Sequence, residues 1–404
     1  MKQKIISLFI LIIFSICHHM TLLNSYQKEM GTTVFPKSVI TTEARKDQPG
    51  IKLYGKYTCL MDPSTGRVLY GKNINEKAPM ASTTKIMTCL LALEHGDLMQ
   101  KVQVSQKAAS MPKVHLGMNT GETYYMKDLL YSLMLMSHND SAVAIAEAIG
   151  GSVPGFASLM NQRAKKIGMY NTNFVTPNGL DAKDHYSTAK DMCLLATEAM
   201  KNKEFREIVT TTSYVVTELH SKKTTTIINK DSFLSLYEGA LGIKTGFTSR
   251  AGYCFVGAAK RNNITLVCST LAAGWPPNKS YKWSDASTLM NFGFQNYILK
   301  RITIQKLSSC KIPVERGESS YISCIDVPSP VLPVSEFDTI QTEYMIPQKL
   351  TAPIKKNNKI GTILIRINDK IVMELPVYPD KSIKKSSFWN KLSVIMNKYL
   401  YIHS

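Results

Sequence analysis

Ala81-Ser82-Thr83-Thr84-Lys85-Ile86-Met87 sets a hydroxyl and an amine three positions apart at the mouth of an apolar run. Ile86, Met87, Leu90, Leu91 and Leu93 recur at helical spacing until Gly96, so a helix is expected here. The oxygens of Ser82, Thr83 and Thr84 are its expected caps and Gly96 its end signal. Residues i and i+3 share a helix face, which puts the Lys85 amine beside the Ser82 hydroxyl; the free N–H groups of a first turn favour an oxyanion. Ser82 is therefore the expected nucleophile. The pair alone does not select it, because Ser-x-x-Lys also occurs at Ser25, Ser110, Ser187, Ser308 and Ser382. Selection comes from two downstream motifs, each present once: Ser137-His138-Asn139 and Lys244-Thr245-Gly246.

Working outward, residues 53–61 and 67–71 read as strands around the turn Asp62-Pro63-Ser64-Thr65-Gly66. A second pair of strands, 253–259 and 264–271, flanks the turn Arg261-Asn262-Asn263. Between these hairpins the pattern is helical, at 126–136, 141–149 and 190–201, with the Ser137 motif at a helix-to-helix junction, and a further helix is expected after the second hairpin, at 284–297. The expected class is α+β: one antiparallel sheet with an inserted helical subdomain. After about residue 300 the chain turns β-like, at 301–307, 321–327, 360–367 and 370–377, which suggests a small all-β domain.

The ends carry the address. Lys2 and Lys4 precede an uncharged apolar run over residues 5–17, the length of a signal-peptide core, so residues 1–25 are expected to be a signal peptide or N-terminal anchor. Residues 26–50 look like an exposed lead-in. At the other end Phe388, Trp389, Leu392, Ile395, Met396, Tyr399 and Leu400 share one helical face. Lys381, Lys384, Lys385, Lys391 and Lys398 accompany them with no acidic residue. That pattern suits a helix lying on an anionic membrane. The expected division is thus 1–25, 26–50, a catalytic domain at 51–297, a β domain at 298–380 and an amphipathic helix at 381–404. The net charge of +19 fits an anionic surface such as phospholipid or wall polymer. Nucleic acid is disfavoured, since an export signal precedes the fold and no aromatic-interleaved basic repeat appears. Eight cysteines show no metal spacing, and most read as small buried residues; Cys310 with Cys324 is the expected disulfide if there is one.

Taken in order, Ser82-Thr83-Thr84-Lys85, Ser137-His138-Asn139 and Lys244-Thr245-Gly246 resemble the three motifs of serine penicillin-recognising enzymes, a set established for β-lactamases and penicillin-binding proteins. Asn178-Gly179-Leu180-Asp181, His185-Tyr186-Ser187-Thr188-Ala189 and Ala251-Gly252-Tyr253-Cys254-Phe255 narrow the resemblance to low-molecular-mass penicillin-binding proteins that are D-alanyl-D-alanine carboxypeptidases. The resemblance implies a penicillin-binding, transpeptidase-like domain and a chain exported to the outer face of the cytoplasmic membrane. It implies removal of the terminal D-Ala from peptidoglycan stem pentapeptides through an acyl-enzyme on Ser82, with inhibition by β-lactams and no metal or cofactor. By the same resemblance Lys85, Ser137 and Asn139 are catalytic, Lys244, Thr245 and Gly246 bind the substrate, and Phe247 lends a backbone N–H to the oxyanion hole. A non-catalytic stem-peptide or penicillin sensor, a D,D-endopeptidase and a β-lactamase are the alternatives. One departure is His138, where the family usually has Gly; it is expected to be an exposed imidazole, the other reading being a ring that narrows the cleft or titrates beside Ser137.

Overall fold

The first turn is built by one carboxylate. Asp62 accepts the Ser64 N–H at 3.0 Å and hydroxyl at 2.8 Å and the Thr65 hydroxyl at 2.6 Å, and Gly66 takes φ +71°. The hairpin Tyr57–Asp62 and Arg67–Lys72 follows. In this computed structural model, which describes residues 38–40, 50–112 and 114–387, that hairpin joins a five-stranded antiparallel sheet. Its order is Arg67–Lys72, Tyr57–Asp62, Ile264–Leu271, Gly252–Arg261, Ala240–Thr248. The register sets Val267 opposite Met61 and Leu271 opposite Tyr57.

Alternation along the strands gives this sheet two apolar faces. Leu60, Phe255, Leu266 and Cys268 pack with Leu289, Met290 and Phe292 of the helix Tyr281–Asn296. Gly293 lets that helix approach, because a Cβ there would lie 3.0 Å from Leu60 Cδ2. Cys59, Met61, Val256 and Val267 face the inserted helices instead. Those helices are Lys85–His95, Met126–Tyr131, Asn139–Gly150, Val153–Ile167, Ala189–Ala199 and Lys203–Thr210. Ser152, Thr188 and Asn202 cap three of them by accepting the backbone N–H three residues on, each bond contributing about 1 kcal/mol. The helices Val153–Ile167 and Lys203–Thr210 and the hairpin Ser213–Thr217 with Thr224–Ile228 were not expected from the pattern.

Two local expectations change. Ser82, Thr83 and Thr84 do not cap the helix. They form a 3-10 turn, Ala81–Thr84, in which the Thr83 and Thr84 hydroxyls donate backward to the carbonyls of Met80 at 2.6 Å and Ala81 at 2.8 Å. The continuous helix expected at 126–136 is α-helical to Tyr131 and then widens into a π turn, Ser132–Met136, which Ser137 ends at φ +67°.

The chain divides into two compact units, one within residues 48–299 and the other combining residues 300 onward with the N-terminal stretch. In the latter a four-stranded antiparallel sheet runs Ser38–Ile40, Ile340–Met345, Gly361–Ile367, Lys370–Val377. The expected exposed lead-in therefore supplies a strand. Asn368 and Asp369, at φ +52° and +63°, make the tight turn of the last hairpin. The strand expected at 301–307 stops at Arg301: beyond it side chains take the backbone donors, Ser329 Oγ that of Ile304 at 3.0 Å, the Tyr344 hydroxyl that of Gln305 at 2.8 Å, and Asp326 Oδ1 those of Leu307 and Ser308 at 2.6 and 2.8 Å. Cys310 and Cys324 stand as free thiols, so the expected disulfide is absent. The helix expected at 381–404 does not begin at Lys381: residues 381–387 are not helical, and Ile383 exchanges backbone hydrogen bonds with Ile354 at 2.8 and 2.9 Å and buries its side chain in the β core. The signal segment and residues 388–404 lie outside the described residues.

Candidate active site

Ser82 is held on its 3-10 turn by neighbours on both sides. Gly179, at φ +83°, and Gly246 press against the turn: a Cβ on Gly179 would fall on the Ala81 carbonyl oxygen, and one on Gly246 would sit 2.9 Å from Ser82 N. The strand Ala240–Thr248 thus runs directly beside the nucleophile's backbone. Thr88 donates to the Pro177 carbonyl at 2.6 Å, and Thr84 Oγ1 lies 3.0 Å from His185 Nε2. His185 Nδ1 accepts the Val175 N–H at 2.9 Å, so Nε2 carries the proton and donates to Thr84. Burial pushes the His185 pKa down to about 4, which keeps this tautomer neutral.

Lys85 is wholly buried and stands at the centre of the site. Its Nζ lies 3.0 Å from Ser82 Oγ, 2.9 Å from Asn139 Oδ1 and 2.5 Å from the Asn178 carbonyl oxygen. The last two partners can only accept. As an ammonium Lys85 donates to all three; once it loses a proton, two N–H bonds remain for these acceptors and a lone pair is left for the Ser82 hydroxyl proton. Burial, reinforced by the Lys244 ammonium, moves the Lys85 pKa well below the usual lysine range, with Asp140 acting in the opposite sense.

Ser137 sits at the end of the π turn with its hydroxyl oxygen buried and without a hydrogen-bond partner. His138 is buried rather than exposed: its Nδ1 lies 2.7 Å from Ser132 Oγ, which in turn contacts Ser141 Oγ at 2.8 Å. Burial pushes its pKa down to about 4. The ring therefore braces the junction beneath Ser137.

On the neighbouring strand Lys244 and Gly246 share the face toward the Ser82 turn, and Thr245 is half-buried. Lys244 is buried and donates to the Thr245 carbonyl at 3.2 Å; burial lowers its pKa to about 8, opposed by the Asp231 carboxylate. Phe247 is exposed and its ring lies 4.6 Å from that of Tyr253. All eight residues singled out in the sequence thus fall on the Ser82 turn and helix, the Ser137 junction or the Lys244 strand. The Asn178 carbonyl, bonded to both Ser82 and Lys85, was not singled out as a functional group; the Asn178-Gly179 pair was its only signal. Among the described residues no group of three or more His, Cys, Asp or Glu side chains could hold a metal ion.

A family profile described as D-alanyl-D-alanine carboxypeptidase matches residues 42–274. The chain belongs to this family. A second profile, described as the penicillin-binding protein 5 C-terminal domain, matches residues 308–385. D-alanyl-D-alanine carboxypeptidase DacF of Bacillus subtilis (strain 168) is 31% identical over 82% of this chain and 87% of its own length. DacC of Escherichia coli (strain K12), also named a D-alanyl-D-alanine carboxypeptidase, is 27% identical over 91% of this chain and 93% of its own. Among solved structures, penicillin-binding protein 5 from Haemophilus influenzae shares the fold, with a TM-score of 0.70 and 23% identity over 83% of this chain and 99% of its own. A mutant of the Streptomyces K15 DD-transpeptidase matches with a TM-score of 0.58 and 31% identity over 61% of this chain and all of its own. The carboxypeptidase is accordingly a serine-type peptidase.

Proposed function

We propose that this carboxypeptidase removes the terminal D-Ala of peptidoglycan stem pentapeptides through an acyl-enzyme on Ser82, and that β-lactams acylate the same oxygen. The observation that carries the residue assignment is the Lys85 amine, buried, depressed in pKa and shared among Ser82, Asn139 and Asn178. A serine hydroxyl is a weak nucleophile until a base takes its proton. Lys85 takes that proton as Ser82 Oγ bonds to the carbonyl carbon between the two D-alanines. The carbonyl oxygen gains negative charge and is held by the backbone N–H groups of Ser82 and Phe247, which the missing side chain of Gly246 allows to approach. The C–N bond then breaks and the departing amine receives a proton through Ser137, whose hydroxyl has no protein partner to leave. Asn139 holds the substrate amide. Lys244 and Thr245 bind the terminal carboxylate by a charge-assisted pair of donors. Water completes the cycle by releasing the shortened peptide and restoring the Ser82 hydroxyl.

The chain acts in the cell envelope, exported by residues 1–25 and held to the outer face of the cytoplasmic membrane by the segment after residue 387. The apolar run near Lys2 and Lys4 and the lysine-flanked apolar face ending at Leu400 support this placement. Peptidase function occupies residues 51–297, and the β domain that follows runs on to about residue 385, where Ile383 packs into its core. The test is release of free D-alanine from a diacyl-Lys-D-Ala-D-Ala peptide by the purified protein and by its Ser82→Ala variant. Release by the first and none by the second is the expected result; no release by a folded wild type overturns the reading.

A further inference from the structure

Asp140 follows directly after the second motif, is 1% exposed and has no part in the chemistry above. Its carboxylate is nonetheless fully employed. Oδ1 accepts the Leu116 N–H at 3.0 Å and the Ser141 N–H at 2.9 Å; Oδ2 accepts those of Gly117 at 2.9 Å and Met118 at 3.3 Å. Gly117 takes φ +85°, the turn that aims these N–H groups at one carboxylate. The same segment touches the site at three further points. The Val114 carbonyl accepts the Asn139 backbone N–H at 2.8 Å, the Pro112 carbonyl accepts Asn139 Nδ2 at 3.2 Å, and Met111 Sδ lies 3.7 Å from Asn178 Nδ2. Since Pro112 takes the amino side of the Asn139 amide, the oxygen side is left facing Lys85.

We propose that Asp140 is a positioning residue of the acylation step, tying the segment through Met111, Pro112 and Val114 to Met118 onto the second motif and so fixing the Asn139 amide against Lys85. The inference rests on Lys85 acting as the base. A second consequence follows from charge. Lys85 faces Lys244 from the strand and Asp140 and His138 from the junction, with Lys230 and His115 beyond His138. Of these Asp140 alone favours the protonated amine, so removing its charge lowers the Lys85 pKa further.

The experiment measures acylation of the full-length protein by a fluorescent penicillin from acid to alkaline pH, with amide hydrogen exchange at Leu116, Gly117 and Met118. Asp140→Asn keeps the shape but loses one acceptor and the charge. Losing hydrogen bonds to a charged group of this kind costs about ten- to a hundredfold in rate. Its acid limb, set by deprotonation of Lys85, moves to lower pH, and the three amides lose protection. Asp140→Glu keeps the charge and misplaces the oxygens, so the rate falls while the acid limb stays near its wild-type position. A purely structural role would not separate the two variants in their pH profiles. Wild-type rate in either variant, or an unmoved acid limb in Asp140→Asn, overturns the proposal. If Asp140→Asn does not fold, Asp140→Glu carries the test through its rate. Acylation surviving in Lys85→Met would instead overturn the base assignment, a distinguishable failure.

Discussion

The unit within residues 48–299 buries Lys85, Lys244, Lys282, Asp140, Asp231 and Asp285, whereas in the other unit Asp338 is the one buried Asp, Glu, Lys, Arg or His among described residues 300–387. Asp338 is satisfied by the Ser335 N–H and Asn368 Nδ2, both at 2.9 Å, and serves a turn. The remaining core there is Ile363, Ile365, Ile367, Tyr344, Val377 and their neighbours. Burying an ion costs several kcal/mol even after relaxation. A fold that needs only stability can bury isoleucines; the unit that carries the chemistry buries amines held off their ordinary pKa. Stability and reactivity are therefore opposed in one half of the molecule and independent in the other.

The sharpest way to break that contrast is Lys85→Met. Acylation by penicillin is expected to fall by about a thousandfold or more, the scale of losing an activating base, while the melting free energy changes by no more than about 2 kcal/mol. Relief from burying an amine offsets the acceptors left bare at Asn139 and Asn178. Stopped-flow acylation and calorimetry together check it. Ile365→Ala in the other sheet is the converse: about 2–5 kcal/mol lost from that unit's own unfolding transition, with the acylation rate unchanged.

A third expectation concerns pH. His138 has its folded pKa pushed below its unfolded value of about 6.5, to about 4, so the unfolded chain binds the proton between those values. The stability it contributes is complete above pH 6.5 and is lost as pH falls toward 4, on the order of 3 kcal/mol. Comparing denaturant midpoints of His138→Gly and wild type over that window should show a shallower decline in the variant. The smallest effect sharpens the contrast within the site. Lys244 must be charged to hold a carboxylate, and its pKa is about 8 in the free protein. KM for the D-Ala-D-Ala peptide should rise about tenfold per pH unit above that value, an effect Lys244→Arg abolishes.

Much of this was legible in the sequence because the informative signals are local. The Ser82 and Lys85 spacing gives a shared face, the Asp62 turn and Asn262-Asn263 turn announce hairpins, and Ile264–Leu271 emerged with its expected limits. What escaped was set by distant partners. The Asn178-Gly179 pair marks a turn, but it does not reveal that the Asn178 carbonyl will meet an amine 93 residues away. The π turn at Ser132–Met136 has the same apolar composition as an α-helix, and only the His138, Ser132 and Ser141 contacts mark its wider register. His138 was expected to be exposed because nothing in Ser137-His138-Asn139 announces Ser132 and Ser141 as the partners that bury it. Ser38–Ile40 is too short for periodicity to show, and its edge is completed by Ile340–Met345.

That catalytic sheet also sets a timetable. Met61 pairs with Val267, so the first hairpin acquires its central neighbour only after about 200 more residues have been made. At ribosomal speeds of roughly 5–20 residues per second the delay is on the order of 10–40 seconds. Ser82 and Lys85 are synthesised early, yet the strand bearing Lys244 and Gly246 arrives among the last pieces of the unit. The nascent chain therefore carries its nucleophile for most of its birth without a working catalytic centre, and competence for acylation is a late, all-at-once acquisition.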